Sequence, residues 1–283
     1  MSAALARRRR AESVAGQTLK AAAIVGLGAF VLFPIYWMVV ISLTPTGFSR
    51  TLGGLWPLRV TLDNYVTLFT ERPMGRWMVN SIVVATLSSL LSLLFGTSCG
   101  YVLSRIRFRG TGILMMLVLA TQMIPQTSIV VPLYILFRDL GLLDSMQGMV
   151  IGHISLVAPL AIWMSKGFFD TIPADLEGAA RIDGCTRLQA YWYVAMPLAA
   201  PGMAAIFIYG FVNSWHDFLF AKTLINSEKL WTAATGISSF RGEYFTLHEL
   251  QMAAALVFAL PVVVVFMTMQ RRIVSGALAG SVR

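Results

Sequence analysis

Three histidines (His153, His216, His248) and two cysteines (Cys99, Cys185) are the only imidazoles and thiols in the 283 residues. They do not recur at metal-ligand spacing, and two cysteines are too few for a structural zinc site or a disulfide scaffold. No H-E-x-x-H or C-x-x-C occurs, and without a G-x-x-x-x-G-K-[ST] run the chain has no loop of its own to cradle ATP phosphates. Enzymatic chemistry is therefore not visible. Binding chemistry is: Asn213, Trp215, His216 and Asp217 cluster toward one end of an apolar stretch. A Trp face stacks on a sugar ring, and Asn and Asp are partners for hydroxyls, so this cluster is expected to line a solute pathway. The competing reading is an interfacial aromatic belt with a polar helix cap. His153, Asn80 and Gln122 lie inside apolar stretches and read as hydrogen-bonded helix residues.

The elements that must position these groups are membrane helices. Hydrophobic residues make up 57% of the chain and charged residues 12%, with a mean hydropathy of +0.72. A soluble domain carries roughly a quarter charged residues, and so apolar a chain is not disordered. Six charge-free stretches are long enough to cross a bilayer: residues 21–43, 77–103, 112–137, 145–165, 194–216 and 250–270. Prolines 34, 125, 132, 159, 197, 201 and 261 fall within them, and packed membrane helices tolerate proline where neighbours satisfy the freed carbonyls. The first stretch follows Arg7–Arg10 but exceeds a signal-peptide core and lacks a small-residue cleavage site, so it is expected to be a retained helix. Gly96/Gly100 and Gly148/Gly152 have the spacing that lets helices approach closely, with Cys99 as one more small packing residue. The fold class expected is all-α, integral to the membrane, with six spans. Residues 1–20 and 271–283 are expected as cytoplasmic tails around one six-helix transmembrane domain, 21–270.

Charge sets the orientation. With the N-terminus inside, the inner segments hold fourteen Lys and Arg against five acids, and the outer segments eight of each. The formal net charge of +9 thus lies wholly on one face, which suits the positive-inside rule and anionic lipid. No nucleic-acid partner is needed to explain it.

The longest inner loop, within 168–197, is not loop-like in composition. Pro173 suits a first-turn position of a helix, Asp175 and Glu177 favour its positive start, and Gly184 suits a left-handed stop. Thr186-Arg187-Leu188-Gln189 reads as a capping box opening a second helix. A short helix, a glycine turn and another helix would present a compact surface to a cytoplasmic partner, or else rest on lipid headgroups.

The run Gly178-Ala179-Ala180, three residues, Gly184, nine residues, Val194-Ala195-Met196-Pro197 resembles the EAA loop of ABC-importer permeases. The flanking Ile172-Pro173, Asp175-Leu176-Glu177 and Asp183-Gly184 resemble the carbohydrate branch that includes the maltose permease. So do Pro125, Pro132-Leu133-Tyr134, Leu140-Gly141-Leu142-Leu143, Trp215-His216-Asp217 and the ending Gln270 to Gly276. The motif glutamate position is Gly178, with Glu177 just before it. The resemblance implies a permease subunit of an ATP-driven sugar importer in a bacterial inner membrane. It implies coupling through Glu177, Gly178, Ala179, Ala180, Arg181, Asp183, Gly184 and Pro197. It implies as partners two ABC ATPase subunits, a second homologous permease and an extracytoplasmic solute-binding protein, with ATP and Mg held by the ATPases and no cofactor on this chain. The alternative is an ion-coupled secondary transporter, which would place several carboxylates or histidines at mid-membrane.

Overall fold

A computed structural model describes residues 2–46, 56, 59–106, 108–242 and 247–281, with side chains from 16 to 270. Gly53, Gly54, Pro57, Arg107 and Arg283, and the side chains of Arg7–Arg10, Glu12 and residues 271–276, lie outside the described residues. The chain divides into two compact units: Met1–Arg72 with Phe240–Leu256, and Pro73–Ser239 with Val257–Arg283.

The first unit contains α1 (Ser2–Ser42) and α2 (Asp63–Thr70). Helix begins at Ser2, so the stretch expected as an N-terminal tail continues directly into the apolar 16–42 segment. The end of α1 leaves carbonyls without helical partners, and Asn64 supplies them. Its Nδ2 donates to the carbonyls of Ser42 and Thr44, each at 2.8 Å. The Ser42 and Tyr65 hydroxyls meet at 2.8 Å beside it.

The second unit holds α3 (Met74–Arg105), α4 (Thr111–Ala120), α5 (Gln126–Asp139) and α6 (Met146–Asp170). It continues through α7 (Ala174–Ile182), α8 (Arg187–Ala190), a π-helical turn at Tyr191–Ala195 and α9 (Met196–Leu198). Then come α10 (Ala200–His216), α11 (Leu219–Leu224) and α12 (Ala233–Ser238). Helix α13 (His248–Ser281) begins in the first unit and ends in the second.

Among the described residues, four helices are long and apolar enough to cross a membrane: 16–42, α3, α6 and 248–270. The stretches expected as the third and fifth spans are instead bent pairs. Thr111–Met123 meets Gln126–Asp139 at 97°, and Arg187–Leu198 meets Ala200–His216 at 77°. The first bend has a local cause. Pro125 crowds the residue before it out of the helical region, and Ile124 is extended at φ −79°, ψ 122°. Pro34, Pro132, Pro159 and Pro261 all remain inside continuous helices.

Helices α3 and α6 run parallel in close contact. A β-carbon built on Gly96 would stand 2.7 Å from that of Ala161, and one on Gly100 would stand 2.6 Å from that of Ser165. Both glycines are thus used for helix packing, the reading expected from their spacing, whereas Cys99 between them is exposed rather than packed. Because α3 and α6 are parallel, the chain has to return between them, and the bent pair α4–α5 makes that passage. Helix α10 runs antiparallel to α3, with the Ser88 and Ser214 hydroxyls 2.9 Å apart. Ser81 accepts from the Ala233 amide at 2.8 Å, and Asn80 donates to the carbonyls of Lys229 and Trp231. These bonds fasten the 228–239 segment onto α3. Asn80 therefore serves a loop rather than a neighbouring helix, whereas Gln122 does reach another helix, at the Leu156 carbonyl of α6.

Candidate functional site

The inner loop folds as its punctuation predicts. Helix α7 starts after an extended Pro173, which sits at the cap rather than within the first turn, with Asp175 and Glu177 in that turn. It stops at Gly184, whose φ of +95° is costly for any residue with a β-carbon. There the Cys185 amide donates to the Ala180 carbonyl at 3.0 Å and the Gly184 amide to that of Arg181 at 3.2 Å. This is the paired closure of a Schellman stop. The Thr186 hydroxyl accepts from the Gln189 amide at 3.2 Å, and the Gln189 side chain accepts from the Thr186 amide at 2.8 Å, so α8 opens with a complete capping box.

The loop's residues divide into two faces. Gly178, Ala179, Arg181, Asp183, Gly184 and Pro197 are exposed and Ala180 is half-buried. Leu176 is 46% exposed and Ile182 89%, so apolar side chains point outward beside them. Glu177 is different. It is buried at 6%, turned toward α3, and does not share the exposed face of its neighbours. Arg105 Nε donates to its Oε1 at 2.7 Å and the Tyr101 hydroxyl to its Oε2 at 2.6 Å. The same guanidinium donates to the Phe169 carbonyl at 2.9 Å and the Ile172 carbonyl at 3.0 Å. One arginine therefore ties the end of α3 to the end of α6 and to α7. Around it Phe169, Tyr191, Ala195 and Ala199 form a buried cluster against Tyr101. Arg105 is one of the fourteen basic residues of the inner segments, and no local spacing in the sequence links it to a carboxylate 72 residues away.

The expected pathway cluster separates as well. Asn213, His216 and Asp217 line a cavity of about 450 Å³ together with Gln126 and His153. Trp215 does not: it is 1% exposed, stacked between Phe211 and Phe258 at 5.5 and 5.0 Å, and its Nε1 donates to the Phe258 carbonyl. Its neighbours in the helix turn the other way, since adjacent residues on a helix do not share a face. Asp217 accepts from the amides of Phe220 and Ala221 and so caps α11. His153, buried in α6, places Nδ1 2.8 Å from the Met149 carbonyl and Nε2 3.3 Å from Asp217 Oδ2. The second approach is within ion-pair distance but lacks hydrogen-bond alignment. His153 thus belongs to the cavity wall, a role its apolar surroundings in the sequence concealed.

One spelling needs its context. Gly96-Thr97-Ser98-Cys99-Gly100 matches the G-x-S-x-G of a nucleophile elbow, which requires a sharp strand-to-helix turn. Here it lies mid-helix in α3, and its glycines face α6. Among the described residues no group of three His, Cys, Asp or Glu is placed to hold a metal ion.

Comparison with known proteins identifies the family. Residues 90–277 match the family described as binding-protein-dependent transport system inner membrane component. The trehalose transport system permease protein SugB of Mycobacterium tuberculosis is 35% identical over 90% of this chain and 93% of its own. The sulfoquinovosyl glycerol transport system permease protein SmoH of Agrobacterium fabrum is 34% identical over 89% of each. Among solved structures, a bacterial ABC transporter involved in import of the acidic polysaccharide alginate shares the fold, with a TM-score of 0.78 and 24% identity over 93% of this chain and 97% of its own. The chain is a transport component rather than an enzyme, and it belongs to the family of binding-protein-dependent transport system inner membrane components.

Proposed function

We propose that this chain is one of two permease subunits of an ATP-driven importer for a sugar or related solute. The observation that carries the proposal is the inner loop, a rigid helix with a Schellman stop and an outward face of Leu176, Ala179 and Ile182. That face fits a groove on a cytoplasmic ATPase, and residues Gly178, Ala179, Ala180, Arg181, Asp183, Gly184 and Pro197 make the coupling surface. Two ATPase subunits hold ATP and Mg, and an extracytoplasmic binding protein delivers the solute. Names of the relatives, which carry trehalose and sulfoquinovosyl glycerol, support a carbohydrate cargo.

In this reading the chain crosses the inner membrane six times, with each bent pair counted as one crossing and the N-terminus inside. The parallel course of α3 and α6 and the basic excess of the inner segments support it. The permease domain covers 21–270, with 168–197 as the coupling loop and 1–20 and 271–283 on the cytoplasmic side. The few ionisable groups within the apolar helices speak against an ion-coupled carrier.

Affinity purification of the tagged chain from its native membrane, followed by mass spectrometry, tests this reading. Co-purification of an ABC ATPase and a second permease is the expected result. A chain recovered alone that still transports solute without an ATPase overturns it.

A further inference from the structure

We propose that the cavity between α5, α6 and α10 is a subsite for a neutral polyhydroxy solute, and that its charge balance turns acidic sugars away. The inference rests on the importer reading, since it concerns what crosses the membrane on this subunit. Its volume of about 450 Å³ falls within the roughly 300–1,000 Å³ typical of small-molecule sites.

The polar groups converge on it from separate elements: Gln126 opens α5, His153 lies in α6, and Asn213, His216 and Asp217 come from the end of α10. The Asn213 amide donates to the Tyr209 carbonyl within its own helix, which leaves its oxygen for a ligand. Gln126 is exposed to the cavity and has no hydrogen-bond partner among the described residues. Phe218, 43% exposed, offers an aromatic face on the same wall. Hydroxyl partners around an aromatic face suit a ring that is apolar on its C–H side and polar at its rim.

The charge argument starts at His153. A carbonyl only accepts, so the Nδ1 atom facing Met149 carries the proton. Nε2 faces the Asp217 carboxylate at 3.3 Å, so the polar wall here is an imidazole set against a carboxylate. No Lys or Arg lines the cavity. A carboxylate or sulfonate entering it would lose hydration and find no fixed cation, a transfer that a low-dielectric wall makes expensive. A neutral hydroxyl finds acceptors and donors at once.

The test uses the whole complex, purified with its ATPase and placed in lipid nanodiscs, carrying Val212→Cys and Cys185→Ser. Val212 lines the cavity, while the exposed Cys99 in α3 lies outside it and serves as internal reference. Labelling of both thiols by N-ethylmaleimide is followed by peptide mass spectrometry with size-matched probes: glucose against glucuronate, and maltotriose against trigalacturonate. The neutral probes are expected to slow labelling at position 212 several-fold, with the acidic probes inactive and Cys99 unchanged. Adding Gln126→Ala should raise the half-protecting concentration roughly tenfold, about the weight of one hydrogen bond. Equal protection by acidic and neutral probes overturns the charge selectivity, and protection by none overturns the subsite. ATP hydrolysis by the same preparation reports on the importer reading separately, so failure of one is not mistaken for failure of the other.

Discussion

Arg105 and Glu177, 72 positions apart in the chain, form a mostly buried ion pair at 2.7 Å that joins α3 to α7. The motif position Gly178 has no carboxylate, and Glu177 does not replace it on the outer face. Its charge is spent inside the subunit, where it holds α7 against α3. A push received on the exposed side of α7 would therefore reach α3 and α6 through one guanidinium.

Removing one partner of this pair leaves the other charge buried, at a cost of about 3–5 kcal/mol. Arg105→Ala and Glu177→Ala are expected to lower the unfolding temperature of the purified complex and to abolish uptake. Tyr101→Phe removes one hydrogen bond to a charged group, about 1.5–3 kcal/mol, and should be milder. Thermal unfolding in detergent ranks the three. A Tyr101→Phe variant worse than Arg105→Ala would show that the ion pair is not the main tie.

At Gly184, with φ +95°, a β-carbon costs about 1–2 kcal/mol in the left-handed region, more if branched. Gly184→Val should insert normally, since the loop lies outside the apolar helices, yet lose solute uptake while ATP hydrolysis by the complex continues. Uptake and hydrolysis measured on the same proteoliposomes separate these outcomes. Wild-type uptake by this variant would falsify the coupling role of the turn.

Close packing at Gly100 predicts a different defect. A β-carbon there meets Ser165 at 2.6 Å and the Lys166 amide nitrogen at 2.7 Å, and overpacking costs typically 1–3 kcal/mol. Gly100→Ala should destabilise the fold, whereas Gly178→Ala, which meets nothing within 4 Å, should not. Paired melting curves give the comparison directly.

Trp215→Ala is expected to act as a core deletion, about 3–5 kcal/mol, without changing which solutes compete for transport. Asn213→Ala should leave stability nearly unchanged and weaken transport. Uptake competition together with melting temperatures distinguishes the two. A stable Trp215→Ala protein with altered solute preference would return that ring to the pathway.

Asp144 adopts φ +51°, rare for a residue other than glycine. Its Oδ1 accepts from the amides of Asn226 and Ser227 at 3.1 and 2.9 Å. Asp144→Asn keeps an acceptor and tolerates that backbone, so it should be nearly silent, while Asp144→Ala should cost about 1–3 kcal/mol by freeing both donors. Proteolysis between residues 224 and 239 would read the loosening.

Local pattern carried much of this protein. Apolar runs located the four helices long enough to cross a bilayer and both bent pairs, because a bilayer demands length and hydrophobicity that composition alone expresses. The turn at Gly184 and the capping box at Thr186–Gln189 were legible because each is closed by neighbours within a few residues. Pro125 was visible but its consequence was not: Pro34, Pro132, Pro159 and Pro261 stay within helices while Pro125 turns the chain by 97°. What differs is the residue before the proline, which is extended at Ile124 and helical before the other four. The inward turn of Glu177 toward Arg105, the division of Trp215 from Asn213, His216 and Asp217, and the meeting of His153 with Asp217 were decided by tertiary structure. Each depends on which face of one helix meets another, and the chain's order does not encode that until the helices are packed.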